Sequence, residues 1–126
     1  MFQQKLHSYP IKLILTDTKP YGEFNITSTD SKFAGGVDIK TIRINAVSSD
    51  SVDRVLDVEH TNGIDEMMLG SVNVPAGSTA SLVLSDSTVL VGCYQGELPR
   101  IKFSVPALTA GKTVTVSAYI YYYSTI

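Results

Sequence analysis

Tryptophan is absent from this chain, cysteine occurs once and histidine twice, and each scarcity removes a class of function. A lone Cys93 makes no internal disulfide, and without paired cysteine and histidine tracts no spacing is present to hold a metal or cofactor. Stability must come from packing and assembly. His7 and His60 are the only imidazoles, and neither a GxSxG elbow nor a Cys-His signature accompanies them, so the residues read as those of a protein that is not an enzyme. Charge of one sign is lacking as well. Ten Lys and Arg against twelve Asp and Glu leave no electrostatic footprint for nucleic acid or an anionic membrane. From Met1 to Leu15 the chain is interrupted by Lys5, His7, Pro10 and Lys12, which excludes both the apolar run of a signal peptide and a membrane span. Without a signal sequence, the sequon Asn25-Ile26-Thr27 reads as chance.

What is present is strand signal. The 126 residues suit one domain with one core, and they alternate Val, Ile, Thr and Tyr with polar residues between clusters of Gly, Pro, Asn, Asp and Ser; no helical stripe occurs. Ile11, Leu13 and Leu15 share one face of a first strand, and Asp17 to Gly22 ends it. A weaker strand covers Glu23 to Ser28. Between Val37 and Val47 the inward parity shifts from Val37 and Ile39 to Ile42, Ile44 and Ala46, which predicts a bulge at Lys40-Thr41. Leu56 and Val58 point inward on the next strand, and Thr61-Asn62-Gly63 has the chemistry of a hairpin turn leading to the returning strand, Ile64 to Val74. Pro75-Ala76-Gly77-Ser78 breaks the ladder. Ser81 to Cys93 reads either as two short strands around Ser85-Asp86-Ser87 or as a strand and an irregular turn. Ile101, Phe103 and Val105 make a one-sided strand stopped by Pro106, and Ala110-Gly111-Lys112 turns the chain into the last strand. There Val114, Val116, Ala118, Ile120 and Tyr122 line one face, with Thr113, Thr115, Ser117, Tyr119, Tyr121 and Tyr123 on the other. The expected fold class is all-β, an antiparallel β-sandwich or jelly roll of about seven to nine short strands. Residues 1–34 form an N-terminal arm and first strands of the same domain, and 35–126 its core.

Few residues offer chemistry. His60, near Asp57, Glu59 and Asp65, could be drawn as a metal or acid-base site, but one imidazole lacks ligand spacing and a hairpin-tip histidine among solvated carboxylates is the plainer reading. His7, in the N-terminal arm, has a weaker claim. Asp50, Asp53, Asp57, Glu59, Asp65 and Glu66 face only Arg54 in sequence; they suit a solvated hairpin face better than paired glycosidase carboxylates or an irregular calcium loop. Gly35-Gly36 and Gly70 follow no phosphate-loop pattern and read as turn or bulge positions. Cys93, after Val89-Leu90-Val91 and with no basic neighbour, reads as a buried structural thiol. Tyr119, Tyr121 and Tyr123 are the candidate interface, because tyrosine gives broad contact area at modest entropic cost; the alternative is that their face is covered within the chain. The basic Arg100, Lys102 and Lys112 and the acidic stretch from Asp50 to Glu66 would let copies meet head to tail if they lie apart in space.

The run Gly35-Gly36-Val37-Asp38-Ile39-Lys40-Thr41-Ile42-Arg43-Ile44-Asn45-Ala46-Val47, then Val55-Leu56-Asp57-Val58, Leu69-Gly70-Ser71-Val72-Asn73-Val74-Pro75-Ala76-Gly77 and Leu108 to Val116, resembles small β-sandwich virion proteins of tailed phages. The resemblance covers residues 35 to 126. It implies a non-enzymatic virion structural protein, with a capsid decoration or cement protein preferred. Such a protein binds the major capsid protein or other virion proteins at subunit junctions, as a homo-oligomer with a trimer favoured. It is made in the host cytoplasm and resides in the virion. A neck or tail component is the runner-up. A carbohydrate-binding module, or a small glycan-active enzyme, is the alternative of a different class, weakened by the missing tryptophan although tyrosines could serve. On the strand pattern, the far-ultraviolet spectrum should be of β type with cooperative unfolding, and a helix-dominated spectrum would refute the fold class.

Overall fold

The computed structural model describes residues 6–25, 37–61, 66–85, 91–93 and 100–124, and every regular element among them is a β-strand. In chain order these are β1 (Leu6–Thr16), β2 (Tyr21–Asn25), β3 (Val37–Ser48), β4 (Arg54–Thr61), β5 (Glu66–Val74), β6 (Thr79–Ser85), β7 (Val91–Cys93), β8 (Arg100–Ser104) and β9 (Thr113–Ser124). Three are longer than the expected short strands: β1 has 11 residues and β3 and β9 have 12 each. They run side by side, so each long strand is supported along its length by another.

The first sheet has the order β1-β9-β3-β6, with β7 also on β3, and the second the order β2-β8-β4-β5; all pairings are antiparallel. With β6 and β7 taken as one interrupted strand, the pairs are nested: β4 with β5, β3 with the interrupted strand, β2 with β8 and β1 with β9. A chain doubled on itself in this way and wound into two sheets is a jelly roll, the second of the two expected architectures. Leu6–Thr16 and Tyr21–Asn25 are full outer strands of the two sheets. β6 and β7 match the reading of two short strands, whereas the expected hairpin residues Asn62 and Gly63 and the turn Gly35-Gly36 lie outside the described residues.

Alternation places the core between the sheets. Ile39, Ile42, Ile44 and Ala46 of β3 and Val114, Val116, Ala118, Ile120 and Tyr122 of β9 are buried from one side; Leu56, Val58, Ile101 and Phe103 are buried from the other. Ile39 and Ile42 both point inward because the β3–β9 register shifts between Ile39 and Thr41, at the bulge that the parity change predicted. The same point separates the pairing of β3 with β7 from its pairing with β6. A second shift, between Val58 and Glu59, leaves Leu69 as the extra residue on β5 beside Gly70. A Cβ on Gly70 would come to 2.5 Å from Leu84 Cδ2 of the opposite sheet. Gly70 is therefore a close-approach position as well as a bulge neighbour.

Gly70→Ala should cost about 1–3 kcal/mol of unfolding free energy by overpacking. Measured by urea denaturation, that penalty should largely vanish where Leu84 is already alanine, since the two sites share one volume.

Candidate binding face

The acidic segment is the first place where the structure departs from the expected solvated face. Asp50 is fully buried. Its carboxylate accepts from Arg54 Nε at 2.9 Å, Thr109 N at 2.9 Å, Thr109 Oγ1 at 2.8 Å and Val52 N at 3.2 Å, so all its acceptor positions are in use. Arg54 Nη2 in turn donates to Thr109 Oγ1 at 3.1 Å. The backbone N–H of Thr109 chiefly, then the Thr109 hydroxyl, Arg54 and Val52, hold the Asp50 carboxyl well below the usual carboxylate range, against burial acting in the opposite sense. A carboxylate so occupied is a structural clamp and not an acid or base. Asp53 is also committed, accepting from Ala76 N at 2.9 Å. Asp57 and Glu59 are half-buried on β4, Glu66 is exposed on β5, and Asp65 lies outside the described residues. Among the described residues no three His, Cys, Asp or Glu side chains come together as a metal site, and no helix is long and apolar enough to cross a membrane.

His60 is half-buried within β4, in register with Ile101 and Met67, and shares the parity of Leu56 and Val58. It is an interior-strand residue, not the expected hairpin-tip histidine. His7, expected in an arm, belongs to β1 and stacks on Tyr122 with ring centroids 5.3 Å apart. The side chain of Cys93 lies outside the described residues. Arg100 and Lys102 are in register with Thr61 and Glu59 of β4, and Arg100 Nη1 lies 3.4 Å from Glu23 Oε2. The basic and acidic segments are thus strand neighbours on the second sheet, and the condition for head-to-tail attraction between them is not met.

Tyr119, Tyr121 and Tyr123 lie on the outward face of the first sheet, opposite the face that carries Tyr122 into the core. Among the described residues no element covers that face, and Tyr119 is 50% exposed. The strand registers give its rows. Leu6, Tyr123 and Asp38 form one; Ser8, Tyr121, Thr41 and Ser85 the next; then Pro10, Tyr119, Arg43 and Val83. Lys12, Ser117, Asn45 and Ser81 follow, and Ile14, Thr115, Val47 and Thr79 come last. The Arg43 guanidinium carbon lies 6.0 Å from the centroid of the Tyr121 ring. Ser81 Oγ donates to Asn45 Oδ1 at 2.6 Å, which engages the amide oxygen and leaves the amide N–H groups as outward donors. Two shallow hollows of about 260 Å³ each flank the tyrosines, one lined by Leu6, Lys40, Thr41, Arg43 and Tyr121, the other by Pro10, Lys12, Ser117 and Tyr119 among others. Pro10, Lys12, Arg43 and Asn45 were not singled out from the sequence, because only the strand order sets them beside the tyrosines.

No protein-family model and no curated protein matches this sequence. Among solved structures the chain is similar to a carbohydrate-binding module from the glycoside hydrolase family 9 protein Cel9A of Ruminococcus flavefaciens FD-1, at 14% identity over 91% of this chain and 97% of that one, with a TM-score of 0.58. It is also similar to the Drosophila NLP core, described for pentamer formation and histone binding, at 13% identity over 90% and 96% of the two chains and a TM-score of 0.52. A third is the carbohydrate-binding module CBM36 in complex with calcium and xylotriose, at 16% identity over 94% and 92%, with a TM-score of 0.50. At these identities the likeness shows the β-sandwich fold, and none of the three is a virion protein.

The Asp50 clamp carries a pH dependence with a definite sign. Because its folded pKa is depressed, its stabilisation is fully present above the unfolded carboxyl value near about 3.9 and is lost as the pH falls below that value toward the folded one. The melting temperature should therefore fall on acidification below about pH 4, and Asp50→Asn should flatten that part of the profile while lowering stability at neutral pH.

Proposed function

We propose that this chain is a non-catalytic carbohydrate-binding module that lays a glycan across the outward face of its first sheet. The observation that carries this reading is Tyr119, half exposed in mid-sheet, with Pro10 and Arg43 on either side and the row of Lys12, Ser117, Asn45 and Ser81 beside it. A flat ring offers an apolar platform to the C–H face of a sugar. The neighbouring hydroxyls, amide and cations supply donors and acceptors for sugar hydroxyls at fixed strand spacing. Asn45, oriented by Ser81, is prepared for such a contact before any ligand arrives. The carbohydrate-binding modules among the structural neighbours support the reading only in that the same sandwich serves that purpose elsewhere.

A second reading is favoured by Ile14, Val47 and Val83, which are 61%, 50% and 56% exposed on the same face. Isolated apolar side chains are normal on a surface, but three beside a tyrosine ledge also suit a protein contact. In that case the face would be the assembly surface of a virion protein, decoration or neck and tail, meeting the major capsid protein or further copies of this chain.

Gel retardation against immobilised xylan, glucomannan, cellulose and pectin separates the two. The wild-type protein should be retarded by at least one polysaccharide, and Tyr119→Ala should weaken that binding about tenfold or more, equivalent to ~1.4 kcal/mol, with an unchanged circular dichroism spectrum. No retardation by any polymer, together with an oligomer in sedimentation that Tyr119→Ala dissociates, would replace the glycan reading with the assembly one.

A further inference from the structure

The two outward faces of the sandwich treat their cations differently. On the second sheet, Arg100 is paired with Glu23 at 3.4 Å, and Lys102 lies in register between Glu23 and Glu59. Both cations thus have acids as cross-strand neighbours, and Lys102 Nζ also lies 5.4 Å from the centroid of the Tyr21 ring. On the first sheet, Lys12 and Arg43 are exposed, and among the described residues neither has an ion-pair partner. Among the described residues the acid of that face, Asp38, stands opposite Tyr123, two rows from the row of Arg43. Lys40 lines the same hollow as Arg43 and Tyr121.

Arg43 is also the better-positioned of the two cations. Its guanidinium lies over the Tyr121 ring, and its cross-strand neighbours are Tyr119 and Val83, so the group is held by packing without losing its charge. A guanidinium held this way keeps its donor edge for a planar anion, which it can bind through two parallel hydrogen bonds. Lys12 stands one row further along, across β9 from β3, so the two cations are separated by two strand spacings, about 9.5 Å, and one step along the strands. The tyrosine ledge lies between them. A ligand that crosses the ledge thus meets a cation at each side.

We infer that the ligand of this face is an anionic glycan, one whose uronic acid carboxylates pair with Arg43 and Lys12 while a sugar ring rests on Tyr119. The inference rests on the proposed carbohydrate-binding function and narrows it to a substrate class. The carboxylate supplies the counter-charge that the described residues of the chain do not, and the ring contact distinguishes a sugar polymer from any other polyanion. Salt weakens the pairing, since at about 1 M ionic strength the screening length shrinks to roughly 3 Å, while the stacking contact persists.

The test compares oligogalacturonate, its methyl ester, neutral xylo-oligosaccharide and poly-glutamate as ligands in titration calorimetry. Wild-type protein, Arg43→Gln, Lys12→Gln and Tyr119→Ala are each measured at low and high salt, with circular dichroism to confirm folding. The expected result is binding of the free acid at least tenfold tighter than its ester, weakened severalfold by salt and by either glutamine replacement, and lost with Tyr119→Ala. Equal, salt-insensitive binding of acid and ester, or of the neutral oligosaccharide, that still depends on Tyr119 overturns the anionic class and leaves the carbohydrate-binding reading standing. Equal binding of poly-glutamate overturns the inference by showing a charge contact alone. Absence of binding to every sugar, or sugar binding that none of the three replacements alters, overturns the inference and the underlying reading together. So does self-association that Arg43→Gln abolishes without any glycan bound, which would assign the cations to a second copy of the chain.

Discussion

The buried carboxylate of Asp50 is the interaction on which the closed end of this sandwich depends. Residues of both sheets leave their ladders there, and loops must cross from one sheet to the other with their backbone groups satisfied. Asp50 follows β3 of the first sheet, Arg54 opens β4 of the second, and Thr109 lies in the connection from β8 to β9, so one side chain ties two crossings. Its main chain joins in, the carbonyl accepting from Gly77 N at 2.8 Å, while Ser49 N donates to Thr113 O and Ser48 N to Ser78 O. Reaching Thr109 requires Ala107 at a φ of 63°, a left-handed conformation that costs a non-glycine residue about 1–2 kcal/mol. That strain is sustained because the clamp and the burial of Leu108 on the same loop favour the conformation.

With one end closed by polar contacts, the space between the sheets is left to apolar ones. The two register shifts adjust the fit: the first keeps both Ile39 and Ile42 in the core, and the second brings Gly70 against Leu84. Both act in the same way, by moving side chains across the parity of a strand without ending it. The nested pairing joins Leu6 to Tyr123 at one extreme of the chain and Thr61 to Glu66 at the other. Most of the ladder therefore closes long loops, a topology that couples slow folding to a cooperative core.

The same winding creates the candidate face. β9 is an inner strand of the first sheet, between β1 and β3, so its outward tyrosines are framed by side chains from the beginning and the middle of the chain. Their flanks include cations with no acidic partner among the described residues, while on the second sheet Arg100 is paired with Glu23 and Lys102 has acids in register beside it. That asymmetry, more than the presence of tyrosine, is what distinguishes the outward face of the first sheet from that of the second. The sandwich itself does not choose between glycan and histone binding, since its structural neighbours include proteins described for each.

Period-2 alternation was enough to identify the core from the sequence: Val114 through Tyr122 on one side of β9, Leu56 and Val58 on β4, and Ile101, Phe103 and Val105 are the residues that are buried. The bulge at Lys40-Thr41 was legible for the same reason, because an apolar run that keeps facing the core can change parity only by inserting an extra residue. Parity also placed Tyr119, Tyr121 and Tyr123 together on the opposite face, and left open whether the chain itself covers that face. It could say nothing about neighbours across strands, which depend on long-range pairing rather than on local pattern. Asp50 therefore looked like one more solvated acid, since its partner Thr109 is 59 residues away, and the basic and acidic segments looked separable although β8 and β4 are paired. The sequence by itself determined which side of each strand faces the core; only the tertiary structure decided which side chains meet, because a face is composed of residues from strands far apart in the chain.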